Sequence, residues 1–122
     1  MTCSVHRLPA DDGEFEEYRL PAEKLIEGNP LQSIRMQYTD ASNRFFAGIW
    51  RSEVGKWRIS YTEEEYCELL GGTSLITDES GRVQRASTGD RFVIPRGFTG
   101  TWEVVEPTTK RFVIFEPGIE AG

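Results

Sequence analysis

Glu65 and Tyr61 are the side chains in this sequence best suited to moving a proton. A carboxyl partly withdrawn from water, with a phenol beside it, can act as general acid or base and as hydrogen-bond donor to one substrate. The same residues are equally able to bond each other, or Glu65 to meet an arginine, as a satisfied polar pair. Cys67 follows on the same strand and has the atom type of a nucleophile. Nothing nearby in sequence supplies it with a base, and a free cysteine also packs as a small hydrophobe. Arg58, Arg91 and Arg96 can hold a carboxylate or phosphate in bidentate fashion, or stay solvated. The chain has one histidine, His6, in a polar N-terminal stretch. Imidazole is the common ligand of transition metals. His6 is therefore read as an arm residue, and neither a metal site nor a cofactor is expected.

Strand periodicity has to position these groups. Trp57, Ile59 and Tyr61 fall on one face of a strand over 56–61, with Arg58 and Ser60 on the other. If Glu65 faces inward in a strand over 65–70, so do Cys67 and Leu69, and Gly71-Gly72 should stop that strand. Further strands are expected over 33–38, 44–52, 74–77, 82–85, 92–94, 99–105 and 110–115. Asp78 to Gly81 reads as a turn. Residues 21–27 read as one or two turns of helix, with Pro21 suited to the start and Gly28 to the stop. Short strands, regular turn signals and almost no helix predict an all-β antiparallel sandwich or barrel, closed so that few edges are left exposed. The expected organisation is a 1–32 arm with a short helix, packed on a single barrel domain over 33–122.

Composition narrows the function classes. At 122 residues, with 38% apolar and 28% charged residues, the chain is expected to be one soluble domain. A net charge of −6 argues against a general nucleic-acid binder, which needs a basic patch. The acidic run from Asp11 to Glu17 reads as a solvated arm. No apolar run is long enough for a membrane span, and no secretory signal is seen. Two cysteines, Cys3 and Cys67, are too few for a disulfide framework, so a reduced, cytoplasmic protein is expected.

Gly89, Pro95 and Gly97 stand at the spacing of the second cupin motif, and Glu65 and Gly72 at that of the first. In these residues the chain resembles the cupins, small jelly-roll β-barrels. Over about residues 44–116 it is more similar to the ureidoglycine aminohydrolase-like and ethanolamine-utilisation-like branch. Phe46-x-Gly48-Ile49-Trp50, Glu65-Tyr66-Cys67, Gly100-x-Trp102 and Glu106-Pro107-x-x-Lys110 carry that likeness. The resemblance assigns the usual metal-ligand slots to Ile59, Tyr61, Glu65 and Gly100. Of these only Glu65 binds a divalent metal well.

This departure from the family's ligand set, with the period-two reading of the strands, points to a metal-free cavity. Trp57, Ile59, Cys67, Gly100 and Trp102 would line it, with Gly100 leaving an empty place where a cupin carries an imidazole. Glu65 and Tyr61 would be its polar groups. Lys110 would be an anion-binding cation at the barrel mouth, or else a surface lysine at the start of a strand. Trp50, Trp57 and Trp102 serve either as core or as stacking platforms. The expected function is small-molecule binding. It takes one of three forms: a metal-independent enzyme acting on a small nitrogenous or carboxylated metabolite, with Glu65 and Tyr61 catalytic; a non-catalytic ligand-binding or sensing module; or a structural subunit. A homodimer is expected, through outward Tyr66, Leu70 and Val105.

Overall fold

The short strands of this sequence pair into one curled antiparallel sheet, seen in a computed structural model that describes residues 3–117. The strands are β1 (Glu16–Tyr18), β2 (Leu25–Glu27), β3 (Gln32–Thr39), β4 (Phe45–Ser52), β5 (Gly55–Ser60), β6 (Glu64–Asp78), β7 (Val83–Ser87), β8 (Arg91–Ile94) and β9 (Thr99–Phe115). Their arrangement is all-β and of the jelly-roll type, as the turn and strand pattern predicts.

Two long strands organise it. The first part of β6 lies between β8 and the second part of β9, and that half of the sheet continues through β4 and β3 to β1. The second part of β6 lies between β7 and the first part of β9, and this half continues through β5 to β2. Each half faces the other across the core. One side of the molecule therefore has β1 and β2 as its sheet edges, and the opposite side has β7 and β8.

The sequence pattern predicts breaks at Gly71-Gly72 and at Glu106-Pro107, but both strands run through. The register shifts at Leu69, Gly71 and Thr73 instead, so the pair bends without ending. Gly72 makes the corner possible. Its φ is +86°, and a Cβ there would lie 2.1 Å from the Pro107 carbonyl oxygen. The expected helix over 21–27 is also corrected. Only Ala22–Lys24 forms a single 3₁₀ turn, after which Leu25–Glu27 pairs with β5 as a strand. Pro21 and the residues after it are too few for helix propagation, and β5 offers the better partner for their backbone.

Inward positions of both halves fill the core. Trp50 and Trp102 meet edge to face at 5.7 Å, and Trp50 and Trp57 at 6.0 Å. Trp102 Nε1 donates to Ser74 Oγ at 3.1 Å, and Ser74 lies 2.8 Å from the Thr108 hydroxyl, so these three buried polar groups satisfy one another. Outside the barrel, the N-terminal arm lies across β3, β4 and β9. Arg35 and Gln37 donate to the carbonyls of Ala10 and Pro9, and Arg111 grips both Asp11 oxygens at 3.2 and 3.0 Å. Ile49, which points away from the core face of β4, is only 1% exposed. The acidic arm is thus anchored at Asp11 and is not wholly solvated.

Candidate functional site

On the β1/β2 side, an open cleft of about 280 Å³ reaches between the halves of the sheet. Trp57, Ile59 and Tyr61 line it from β5 and the turn that follows, Trp50 from β4, and Tyr18 from the arm. Its floor carries Glu65 and Lys110.

Strand alternation sends Glu65 inward, where it is 3% exposed. Lys110 lies opposite Trp50 on the neighbouring strand and also points in. A charge so placed is tolerable only if paired and hydrogen-bonded. Both conditions hold. Lys110 Nζ is 3.0 Å from Glu65 Oε2, and the Tyr61 hydroxyl donates to Glu65 Oε1 at 2.6 Å. The ammonium also sits over two indole rings, 4.7 Å from the centroid of Trp50 and 4.5 Å from that of Trp102.

The protonation of these groups follows from their surroundings. Burial works to lower the Lys110 pKa, but Cys67, Glu65 and Tyr61 outweigh it and the net shift is upward, so the ammonium is charged at neutral pH. Burial pushes the Tyr61 phenol well above its ordinary value, with Lys110 opposing and Glu65 adding to the rise. Tyr61 therefore stays a donor throughout the physiological range. Burial likewise pushes the Cys67 thiol up to about 12, which removes it as a nucleophile.

The residues expected in the site divide into two groups. Tyr61, Glu65, Lys110, Trp57 and Ile59 come together at the cleft. Lys110 is neither at the mouth nor on the surface, but is buried against Glu65. Cys67 and Trp102 are core residues behind the floor, with 0% and 1% exposure. Gly100 makes no opening in the cavity. A Cβ there would lie 2.0 Å from the Thr77 carbonyl oxygen, so the missing side chain allows close approach of β6 to β9. Trp50 is packed in the core and also lines the cleft.

Among the lining residues that were not legible as site residues, three bear on the site's chemistry. Glu63 stands in the cleft with its carboxyl pKa raised, chiefly by burial. Its only signal was the Glu63-Glu64-Glu65 run. Tyr18 accepts a hydrogen bond from Trp50 Nε1 at 3.0 Å, and Lys24 enters from the 3₁₀ turn. Tyr18 lies in a segment read as an arm, and Lys24 in one read as a short helix, so neither was placed against the barrel opening.

Cupin barrels commonly hold a metal at the slots assigned to Ile59, Tyr61, Glu65 and Gly100. Here the residues do not fit one. A single carboxylate is the only strong donor, and its free charge is taken by the Lys110 ammonium, which would repel a divalent cation. Among the described residues, no group of three or more His, Cys, Asp or Glu side chains is placed to hold a metal ion.

Residues 39–112 match the family model described as the EutQ-like cupin domain. Among solved structures, the EutQ protein of Clostridium difficile aligns with a TM-score of 0.64 at 20% identity, over 71% of this chain and 64% of that one. A DUF861-family protein of unknown function from Pseudomonas syringae pv. tomato aligns with a TM-score of 0.77 at 16% identity, over 84% of this chain and 44% of that one. A DUF861-family protein from Thermotoga maritima is 33% identical over 55% of this chain and 76% of that one, with a TM-score of 0.54. The chain thus spans less than two thirds of the length of the first two proteins. No curated protein matches it.

Proposed function

The chain belongs to the EutQ-like cupin family, and from that premise we propose that it binds a small carboxylated or nitrogenous metabolite, without a metal, in the cleft above Tyr61, Glu65 and Lys110. The observation that carries this reading is the fixed array at the cleft floor. An ammonium has three donors, and Glu65 takes one of them. A ligand carboxylate would complete the ammonium's shell, and a ligand N–H would find the remaining lone pairs of Glu65. A ligand bearing both groups, as a ureido or amino acid does, matches the pair best. Holding both protein charges in place beforehand lowers the cost of ordering them on binding.

Thermal-shift screening of small amino, ureido and carboxylic acids tests the proposal. A ligand present at a hundred times its dissociation constant adds about 2.7 kcal/mol of stability. Tyr61→Phe and Lys24→Gln should each reduce the shift. A stabilising metabolite indifferent to both substitutions binds elsewhere, and the reading fails.

A catalytic form of the same reading rests on Glu63, which stands in the cleft with its carboxyl pKa raised, chiefly by burial, and so holds a proton more readily than a solvated glutamate. Turnover of the screened ligand that survives both Glu63→Gln and Glu65→Gln removes that form and leaves a binding or sensing module. A homodimer is the assembly we propose. Its contact would be the outward face around half-buried Tyr66, where Val93 is 57% and Phe115 48% exposed. A monomer by light scattering at micromolar concentration rejects it. The free Cys3 and Cys67 fit a reducing, cytoplasmic setting for this function.

A further inference from the structure

The opposite side of the sheet has a larger cleft, about 440 Å³, between the edge strands β7 and β8. Its floor is apolar: inward Ile76, Ala86 and Ile94 are all buried, and Phe92 and Phe98 complete it. Its rim is cationic. Arg85 stands on β7 and Arg91 on β8, each rooted on the outer face of its edge strand beside an inward residue, Ala86 or Phe92, and Arg82 stands on the turn at one end. Among the described residues, no side-chain hydrogen bond or ion pair engages any of these three guanidiniums, and the chain's two ion pairs lie elsewhere.

Two carboxylates also line this cleft, Asp78 and Asp90, but each is already committed. Asp78 Oδ1 accepts from the Ser80 amide at 2.9 Å, the Ser80 hydroxyl at 2.6 Å and the Arg82 amide at 3.1 Å. Asp90 Oδ2 accepts from the Ser87 amide at 2.8 Å. The acids hold the turns that flank β7, while the guanidiniums keep all their donors. On a chain of net charge −6 this is a local cationic rim over an apolar floor. Guanidinium forks on both lips suit an oxyanion, because each can bind one in bidentate fashion. The apolar floor suits a hydrocarbon or aryl group attached to it.

We propose that the β7/β8 cleft is a second ligand site, which takes a small organic oxyanion, a carboxylate or phosphate monoester, bearing an apolar group. The apolar group rests on Phe92 and Phe98, and the anion lies at the rim within reach of Arg82, Arg85 and Arg91. This site is independent of the Glu65 cleft, because the aromatic core separates them: Phe92 packs on Trp102 at 6.2 Å, and Trp102 in turn on Trp50.

Calorimetric titration of the whole chain with phenylacetate and, separately, with phenyl phosphate tests the proposal, and the better binder tells carboxylate from phosphate. Saturable binding of at least one is expected. It should weaken by about tenfold or more in the Arg85→Gln/Arg91→Gln variant, and stay unchanged in Lys24→Gln, which alters the other cleft. Neutral phenylacetamide should not bind. The proposal is overturned if neither anion binds, if the arginine variant binds as tightly as the parent, if Lys24→Gln abolishes binding, or if the amide binds as well as the acid.

Discussion

At the floor of the β1/β2 cleft, the buried charges have partners within hydrogen-bonding distance: Lys110 has Glu65, and Glu65 has Tyr61 as well. At the rim of the β7/β8 cleft, three guanidiniums have none among the described residues. Both clefts rest on one slab of aromatic core, with Trp102 touching Phe92 on one side and the Lys110 ammonium on the other. The difference follows from solvation. An ammonium and a carboxylate removed from water must satisfy each other, whereas an exposed guanidinium can wait in water for a ligand. The inner array is therefore part of what holds the fold together, and the outer array is not. Substitutions should separate the two.

The largest effect is expected from Lys110→Met. It leaves Glu65 buried without its counter-charge, which should cost about 3–5 kcal/mol in urea unfolding. Adding Glu65→Leu should restore most of the loss, because an apolar pair of similar volume is often as stable as the ion pair it replaces. A single variant that unfolds like the parent would mean the pair is not closed in solution, and the contrast between the clefts would collapse.

Next comes Gly100→Ala, at the slot where a metal-binding cupin has its histidine. The added Cβ would meet the Thr77 carbonyl oxygen at 2.0 Å. Overpacking of this kind costs about 1–3 kcal/mol. Gly81→Ala is the control in the β7 turn, where nothing lies within 4 Å of the added atom and only the backbone strain at φ +88° remains. If Gly100→Ala is no worse than Gly81→Ala, the β6–β9 approach is looser than described and a side chain at 100 would reach the cavity after all.

Gly100 also marks the limit of what the sequence could tell. Strand identity and facing were legible, because Trp57, Ile59, Tyr61, Glu65, Cys67 and Trp102 alternate with polar or smaller residues at a period of two. The cupin resemblance then fixed the slot at position 100. It could not say that the slot was empty because another strand's backbone fills the space, which is a fact of long-range packing. Lys110 was expected in the site, but its burial against Glu65 was not legible, for the same reason. A lysine beside Glu106-Pro107 reads as surface until the continuity of β9 through that proline is known. Glu63, Tyr18 and the β7/β8 cleft depend on how separate edges of the sheet approach each other, and no local pattern encodes that.

A pH effect tests the closed floor in a third way. Burial holds the Cys67 thiol near 12, against 9.0 for an exposed thiol. Its contribution is therefore fully present below pH 9 and is lost as pH rises toward 12, at up to about 1.4 kcal/mol per unit. Tyr61 acts in the same direction above its ordinary value of 10, because its pKa is also raised. Lys110, raised as well, adds no loss below its ordinary 10.5. Urea midpoints should fall between pH 9 and 10.5, and Cys67→Ala should flatten that fall. A parent midpoint constant across this window would mean that the thiol is hydrated and the floor open to water.

The smallest effect is expected from Arg85→Gln/Arg91→Gln, and its smallness is the point. These side chains are exposed and donate to no group among the described residues, so stability should change by no more than about 0.5 kcal/mol. Removing two like charges from one rim should if anything stabilise the fold slightly at low salt, and that gain should fade as ionic strength rises. The same variant is expected to lose binding of an aryl carboxylate or phosphate. Lost binding with kept stability marks groups held ready for a ligand. A loss of stability as large as that of Lys110→Met would show instead that the guanidiniums are already bonded within the protein, and the two clefts would then be built on one plan.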